Sequence, residues 1–433
     1  MRTDLSILRE RSFLLLFSAR SISLLGNAIA PVATAFAVLG MPGGSGSMLG
    51  LVLAARLISQ VVFLLFGGVL ADRLPRNRVM ISADLAAGLS QGAAAFLVLT
   101  GSASALRLAV LAVVSGGATA MFTPASRALA IQLVPPEKIQ PANALVQLSM
   151  NAGSICGAAA AGALVTVFGP GWALAVDAAS FLVSATLLSG IRLRRQHDEQ
   201  PATGNMLDQL KDGWREFTAR QWVWVMVCQL ALANVCIAGG FSVLGPIVAT
   251  DHLGGASAWA TVLTAQAIGF AVGSLIALHL RPRRPVRAAA LFTLGFVPPF
   301  ICLAGAAPVR VIAPAMFVTG MCVSLYDVTF QTALQKHIPP ESMSRVMSYD
   351  SFGSFVFMPL GLAVAAPLAD LAGIGTTLVA GGSVIALTSL FLLTLPSVKG
   401  VRDESRRPAQ PPLQPADGPG PSAPSARRQP RRL

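Results

Sequence analysis

Long apolar stretches recur along the whole chain, and short segments between them carry most of the charge. Residues 51–70 (interrupted by Arg56), 108–122, 223–248 and 378–395 are clear instances. A helix rising about 1.5 Å per residue needs about 20 such residues to cross the hydrocarbon of a bilayer. The pattern predicts twelve spanning helices, over 13–39, 47–70, 79–100, 106–128, 143–168, 172–191, 222–249, 257–280, 287–306, 309–335, 344–369 and 373–395. The run after Met1–Arg11 is too long for the apolar core of a signal peptide, and no small-residue cleavage site closes it. It reads as a retained first helix.

Composition supports this reading. Of 433 residues, 54% are hydrophobic and 12% charged, against about 25% charged in a soluble domain. So few charges cannot wet the surface of a soluble fold of this size, which excludes a soluble enzyme, a nucleic-acid-binding domain or an extracellular module for the bulk of the chain. The net charge of +13 takes its meaning from placement. One set of loops holds Arg2, Arg9 and Arg11, then Arg73, Arg76 and Arg78, Arg127 and Lys138, the cations of 192–220, Arg281 to Arg287, Lys336 and Arg345, and the basic C-terminal residues. The alternate loops hold only Arg107 and Arg310. By the positive-inside rule both termini face the cytoplasm, as expected of a multi-pass protein of the inner (plasma) membrane. The basic loops then face anionic headgroups of the lipid bilayer, and no nucleic-acid partner is implied.

The five cysteines lie inside apolar runs, without a CxxC pair or a neighbouring histidine, and read as small hydrophobes. The four histidines sit in loops or at span ends. No metal site is readable. Gly43-Gly44-Ser45-Gly46-Ser47 lacks dinucleotide-binding spacing, and no GxxxxGK[ST] sequence is present. No cofactor, no metal and no catalytic residue is expected; the chain does not read as an enzyme.

Five segments follow from this pattern: a cytoplasmic N-terminus (1–12), a six-helix bundle (13–191), a linker with an amphipathic helix (192–221), a second six-helix bundle (222–395) and a disordered, basic, Pro-rich tail (396–433). In the linker, Leu207, Leu210, Trp214 and Phe217 recur at helical spacing. The bundles echo one another: Val134-Pro-Pro-Glu137 follows the fourth span and Ile338-Pro-Pro-Glu341 the tenth, 204 residues later. Two like-oriented halves are the repeat logic of one large transporter class. The fold expected is therefore an all-α membrane protein of twelve transmembrane helices in two pseudo-symmetric six-helix bundles.

The second span closes with Gly68-Val-Leu-Ala-Asp72-Arg73-Leu-Pro75-Arg76-Asn77-Arg78. Gly68 permits close helix approach, and Asp72 among Arg73, Arg76 and Arg78 can make and break contacts at a membrane boundary, as a conformational latch does. This stretch resembles the loop 2–3 motif of the major facilitator superfamily. Three further stretches resemble its branch of proton-driven drug and siderophore exporters, the macrolide- and enterobactin-exporter-like proton antiporters. They are Phe17-Ser-Ala-Arg20-Ser-Ile-Ser-Leu-Leu-Gly26-Asn27, Leu49-Gly-Leu-Val-Leu-Ala-Ala-Arg56, and the series Phe122-Thr-Pro-Ala125, Leu133-Val-Pro-Pro-Glu137, Ala142-Asn-Ala-Leu145. The resemblance implies alternating access and efflux of a small amphipathic molecule (a drug, antibiotic or siderophore-like compound) with protons as coupling ion, by a monomer. An uptake permease of the same fold, or a non-transporting membrane sensor, is the alternative.

Charges inside spans are costly and so are functional candidates. Six lie there: Arg20, Arg56, Asp84, Asp177, Asp327 and Asp350. Asn27 stands where relatives commonly carry Asp, and an amide carries no proton. Asp327 is therefore the leading proton-coupling candidate and Asp84 the second, with pairing to a loop 2–3 arginine as the alternative for Asp84. Asp350 is assigned to the latch or to a helix N-terminus. Arg56 faces the cavity, pairs with Asp177 as a structural partner, or snorkels to the membrane boundary. Asn27, Arg56, Asn151, Asn234 and Gln266 are the substrate-binding candidates, helix–helix bonding being the alternative for the amides. A cavity with so few fixed charges suits a hydrophobic or weakly charged cargo.

Overall fold

The computed structural model describes residues 10–71, 75–134, 139–191, 214–215, 217–338 and 340–401. Among the described residues twelve helices are long and apolar enough to cross a membrane, and no strand occurs. In chain order they are α1 (Arg11–Leu39), α2 (Gly46–Ala71), α3 (Arg76–Leu99), α4 (Ala105–Gln132), α5 (Ile139–Phe168) and α6 (Pro170–Ser189), then α7 (Gln221–Leu253), α8 (Ala256–Ala277), α9 (Pro285–Ala304) and α10 (Val309–His337). The last two are α11, in two pieces (Pro340–Phe355 and Met358–Ala372), and α12 (Ile374–Thr394). A helix satisfies its own backbone hydrogen bonds, which is what hydrocarbon demands. Gly254 and Gly373 turn the chain between α7 and α8 and between α11 and α12, at φ of 95° and 87°, where a side chain would be strained.

The two halves pair their helices alike. In the first, α1 packs on α5 and α6, α3 on α4 and α6, and α2 on α4; six helices later, α7 packs on α11 and α12, α9 on α10 and α12, and α8 on α10. Small hydroxyls fasten these pairs to backbone carbonyls: Ser59 of α2 donates to Val113 O (2.6 Å), Ser90 of α3 to Leu111 O (2.7 Å) and Thr319 of α10 to Gly295 O (2.7 Å). Large apolar side chains such as Leu89, Phe96, Leu275 and Leu387 stay exposed around the outside. Such an apolar belt suits hydrocarbon.

Between the halves α2 meets α11 and α5 meets α8, two seams related by the same six-helix offset. Gly50 lies against the Leu362 carbonyl, Gly46 against Ile247 and Ala366, and Gly162 against Ala260. All these contacts lie toward the turns opposite the chain termini. The halves are thus closed together at that end.

Three helices depart from regular geometry where glycine and proline demand it. In α7 the turns at Ala238–Leu244 and Ala249–Leu253 widen to a π pattern, and Pro246 denies the Ser242 carbonyl its usual i+4 donor. In α9 a 3₁₀ turn (Thr293–Phe296) precedes Pro298 and Pro299. In α11 the break precedes Pro359.

Most of 192–221 and all of 402–433 lie outside the described residues, as do Pro135, Pro136, Glu137 and Pro339 of the Pro-Pro-Glu segments. Trp214 and Phe217, expected on an amphipathic helix, both pack on Tyr349 of α11 (ring centroids 5.5 and 5.9 Å apart). The expectation that the tail begins at 396 is corrected: Pro396–Gly400 form a short helix, α13, whose Val398 is buried in a cluster with Trp222 and Leu392. Apolar burial holds these residues in the fold.

The α8–α10 crossing brings backbone against backbone. A Cβ on Gly320 would overlap the backbone carbonyl of Gln266, and one on Gly269 that of Phe317. Gly320→Leu should therefore cost about 1–3 kcal/mol of stability, the usual range for overpacking. Thermal unfolding in detergent checks this, and an unchanged midpoint would refute it.

Candidate functional site

A cavity of about 530 Å³ lies between the halves, walled by helices of both. From the first half come Ala28, Pro31, Val32 and Ala35 of α1, Leu53, Arg56, Leu57 and Gln60 of α2, and Ser154 and Ala158 of α5. From the second come Phe241, Ser242 and Pro246 of α7, Trp259, Leu263, Gln266 and Phe270 of α8, Gly320 and Val323 of α10, and Met358 and Leu362 of α11. On each helix these residues repeat at helical spacing, so one stripe faces inward. The walls are mainly apolar and aromatic, and Arg56 is the charged residue among them.

Arg56 is held in place by α1. Its Nη2 donates to Asn27 Oδ1 (3.4 Å), and Asn27 Nδ2 donates in turn to Ser23 O (2.9 Å) one turn back. With the amide nitrogen spent on the helix backbone, the amide oxygen is left facing the guanidinium. Pro31 also denies the Asn27 carbonyl its usual i+4 donor, which makes this turn of α1 locally rich in acceptors. Asn27 therefore positions Arg56 and does not itself line the cavity.

Behind Arg56, inside the first half, lies Asp177 of α6, with 0% of its surface exposed. Gln91 Nε2 of α3 donates to Asp177 Oδ2, whereas Oδ1 has no hydrogen-bond partner. That oxygen points at Gly26, where a Cβ would come within 2.5 Å of it. The carboxylate and the Arg56 guanidinium interact electrostatically. A small cavity of about 30 Å³, lined by Arg56, Gln91 and Ser115 among others, fills the space between these helices.

The remaining sequence candidates fall in different places. Gln266 lines the cavity. Asn151 sits one turn from Ser154 on the same face of α5, nearer the termini, and has bonding partners of its own. Asn234 donates to Ser354 O (2.9 Å), which ties α7 to α11. Asp327 shares the α10 face of Gly320 and Val323, lies one turn nearer the termini and is exposed. Asp350 is buried and bonds Gln331 of α10; it lies inside its helix and not at that helix's N-terminus, which leaves the latch of its two expected roles. Asp84 is buried and accepts from the Ser184 hydroxyl of α6. Arg20 donates to Ser126 of α4 (3.0 Å). Arg76 and Arg78 open α3; Asp72 and Arg73 of the latch motif lie outside the described residues, and of Gly68 only the helical backbone is described.

Sequence reasoning missed Trp259, Phe241, Phe270, Gln91 and Ser115. An aromatic on an all-apolar helix faces lipid or cavity with equal ease, and a lone Gln or Ser gives no direction.

A family profile described as Major Facilitator Superfamily matches residues 12–361 and, in a second placement, 230–431. The multidrug efflux pump Tap of Mycolicibacterium fortuitum is 28% identical over 408 residues, covering 89% of this chain and 96% of that protein. Macrolide efflux protein A of Streptococcus pyogenes is 24% identical over 392 residues, covering 86% and 93%. Among solved structures, the nucleoside transporter NupG superposes with a TM-score of 0.69 at 13% identity, covering 88% of this chain and 97% of that one. An inward-facing, occupied bacterial homologue of the human lysosomal transporter Spinster gives 0.65 at 14%, covering 88% and 96%.

Proposed function

The chain belongs to the major facilitator superfamily, and from that premise we propose that it is a proton-coupled efflux transporter of small amphipathic compounds, working by alternating access. It is a multi-pass membrane protein and a transporter by family and fold. The cavity carries the finer reading: about 530 Å³, bounded by both halves and sealed at one end by the α2–α11 and α5–α8 seams. Its volume suits one drug-sized molecule, and its apolar and aromatic walls suit an amphipathic one. The efflux pumps among its relatives support outward transport.

In this reading both termini and the basic loops lie in the cytoplasm, and the sealed end faces outward. The structure then represents the inward-facing state, which loads from the cytoplasm or the inner leaflet. Rocking of the halves opens the outer seams and exposes the same cavity to the outside. Protons moving down their gradient return the protein to its starting state. Asp327, at the cytoplasmic mouth of the cavity, is the acid placed to exchange protons with that compartment; Asp84, buried against Ser184, is the second candidate. The protein acts as a monomer.

The direct test uses proteoliposomes and efflux-deficient cells. Imposed proton gradients should drive macrolides or lipophilic dyes out of cells expressing the protein, and an uptake permease would raise their internal level. In Asp327→Asn, gradient-driven export should fall about tenfold or more, the scale of one lost coupling interaction, while exchange of labelled for unlabelled cargo persists. Undiminished gradient-driven export in that variant would remove Asp327 from the mechanism.

A further inference from the structure

We propose that Asp177 is a proton-binding site whose charge is read by the cargo cavity through Arg56. The inference rests on the transport reading above and deepens it by naming a second proton site, away from Asp327, and the cargo chemistry it senses.

Asp177 is fully buried, and one of its carboxylate oxygens lacks a donor. Oδ2 accepts from the Gln91 amide, and Oδ1, which has no hydrogen-bond partner, can take a proton without displacing one. The Ser115 hydroxyl, on the wall of the small cavity beside Arg56 and Gln91, is buried and also without a partner. A volume of about 30 Å³ with four polar side chains around it (Thr34, Arg56, Gln91 and Ser115) is of the kind that holds one bridging water. Arg56 lines both cavities. A polar route therefore runs from the cargo cavity past Arg56, Ser115 and Gln91 to the carboxylate.

Few other charges bear on this site. α6 packs against α1, α3 and α5. On α1, Arg20 donates to Ser126, and Arg11 lies at the termini end. On α3, Asp84 accepts from Ser184, and Arg76 and Arg78 open the helix at the termini end. On α5 the titratable group is Cys156, which is exposed. Arg56 of α2 is the charge that faces Asp177.

The sign of the coupling follows. With Asp177 ionised, the Arg56–Asp177 pair presents no net charge to the cavity. Once Asp177 takes a proton, Arg56 stands uncompensated in the cavity wall and repels a cation. Proton and cationic amphiphile then exclude one another, which exchange of the two across a membrane requires. By linkage the exclusion is reciprocal.

The test is equilibrium binding of tetraphenylphosphonium, a lipophilic cation whose own charge does not titrate, to the full-length protein in lipid nanodiscs. Between about pH 5.5 and pH 8.5, wild-type affinity should rise about tenfold or more with pH. Asp177→Asn should bind weakly and equally at every pH, like the wild type in acid. Asp177→Glu, Asp327→Asn and Asp84→Asn should keep the dependence. Infrared titration supplies a readout independent of any cargo: a protonated-carboxyl band should grow as the pH falls and be missing in Asp177→Asn. A wild-type affinity flat in pH, or a dependence that survives in Asp177→Asn or vanishes in Asp327→Asn, overturns the inference. If tetraphenylphosphonium does not bind, the infrared band decides, and a band unchanged in Asp177→Asn overturns it. Absence of gradient-driven export in the wild type would instead defeat proton-coupled efflux and leave the proton site at Asp177 standing or falling on its band.

Discussion

Gly50→Leu should arrest transport by forcing the sealed end open. A Cβ at this position would overlap the Leu362 carbonyl of α11, and a backbone atom cannot swing aside. Relief comes only if α2 and α11 separate, which breaks the seam that closes the cavity. Leucine is the better helix former by about 0.8–1 kcal/mol, so α2 itself is not weakened and the effect is confined to the interface. Overpacking costs about 1–3 kcal/mol, and about 1.4 kcal/mol is a tenfold change in an equilibrium, so the sealed state should lose about tenfold to a hundredfold in population. Spin labels at Ser47 and Asp370, which flank the seam and are exposed, should move apart, and turnover should fall in proportion. An unchanged distance with normal turnover would show that the Gly50 contact is incidental to closure.

The pseudo-symmetry sharpens this expectation. The α5–α8 seam is related to the α2–α11 seam by the six-helix offset, and it too brings a glycine against a small residue, Gly162 against Ala260. Small residues at both seams let the halves approach and leave without dragging large side chains past one another, as close helix approach in membranes requires.

The architecture was legible because the bilayer constrains it so strongly. Apolar length set the number of helices, and the alternation of basic and neutral loops matched the way they connect. Arg56 and Gln266 were also legible as cavity residues, since a polar group in a spanning helix must face something other than lipid. Which polar thing it faces was not. Asn27 and Asn234 have the same chemistry and comparable depth, yet one orients Arg56 and the other bonds the Ser354 carbonyl. The difference depends on which carbonyl the neighbouring helix offers, and that is a matter of rotation about the helix axis. Helices apolar on every side give the sequence no measure of that rotation. Trp259, Phe241 and Phe270 escaped notice for the same reason. For Asp350, expected in the latch or at a helix N-terminus, the burial beside Gln331 of α10 is set by how the two helices pack, which the sequence does not specify. The wide turns of α7 follow from Gly239, Gly240 and Gly245, against which Gly361, Phe300 and Trp259 pack directly. The glycines were plain in the sequence; the partners were not.

Arg56→Gln should raise the affinity for a cationic amphiphile and yet disable pumping, a combination that separates a sensor of charge from a contact for cargo. A unit charge about 8 Å away, at an effective dielectric of about 20, acts with about 2 kcal/mol, or about thirtyfold in binding. In the wild type that repulsion acts when Asp177 is protonated and is cancelled when it is ionised. Glutamine removes the charge and keeps a donor for Asn27 Oδ1, so α1 and α2 stay tied. Tetraphenylphosphonium should then bind in acid about as tightly as it does to the wild type in alkali, since the site is neutral in both. In alkali the ionised Asp177, without its counter-charge, leaves the site net negative and should hold the cation tighter still. A site that holds its cargo too tightly across the pH range releases it poorly, and gradient-driven export should fall about tenfold or more. Arg56→Lys, which keeps the charge while losing the planar donor pair, should retain most of the pH dependence. If Arg56→Gln instead weakened cation binding at every pH, Arg56 would be a direct contact for the cargo, and its charge would not be what joins proton to substrate.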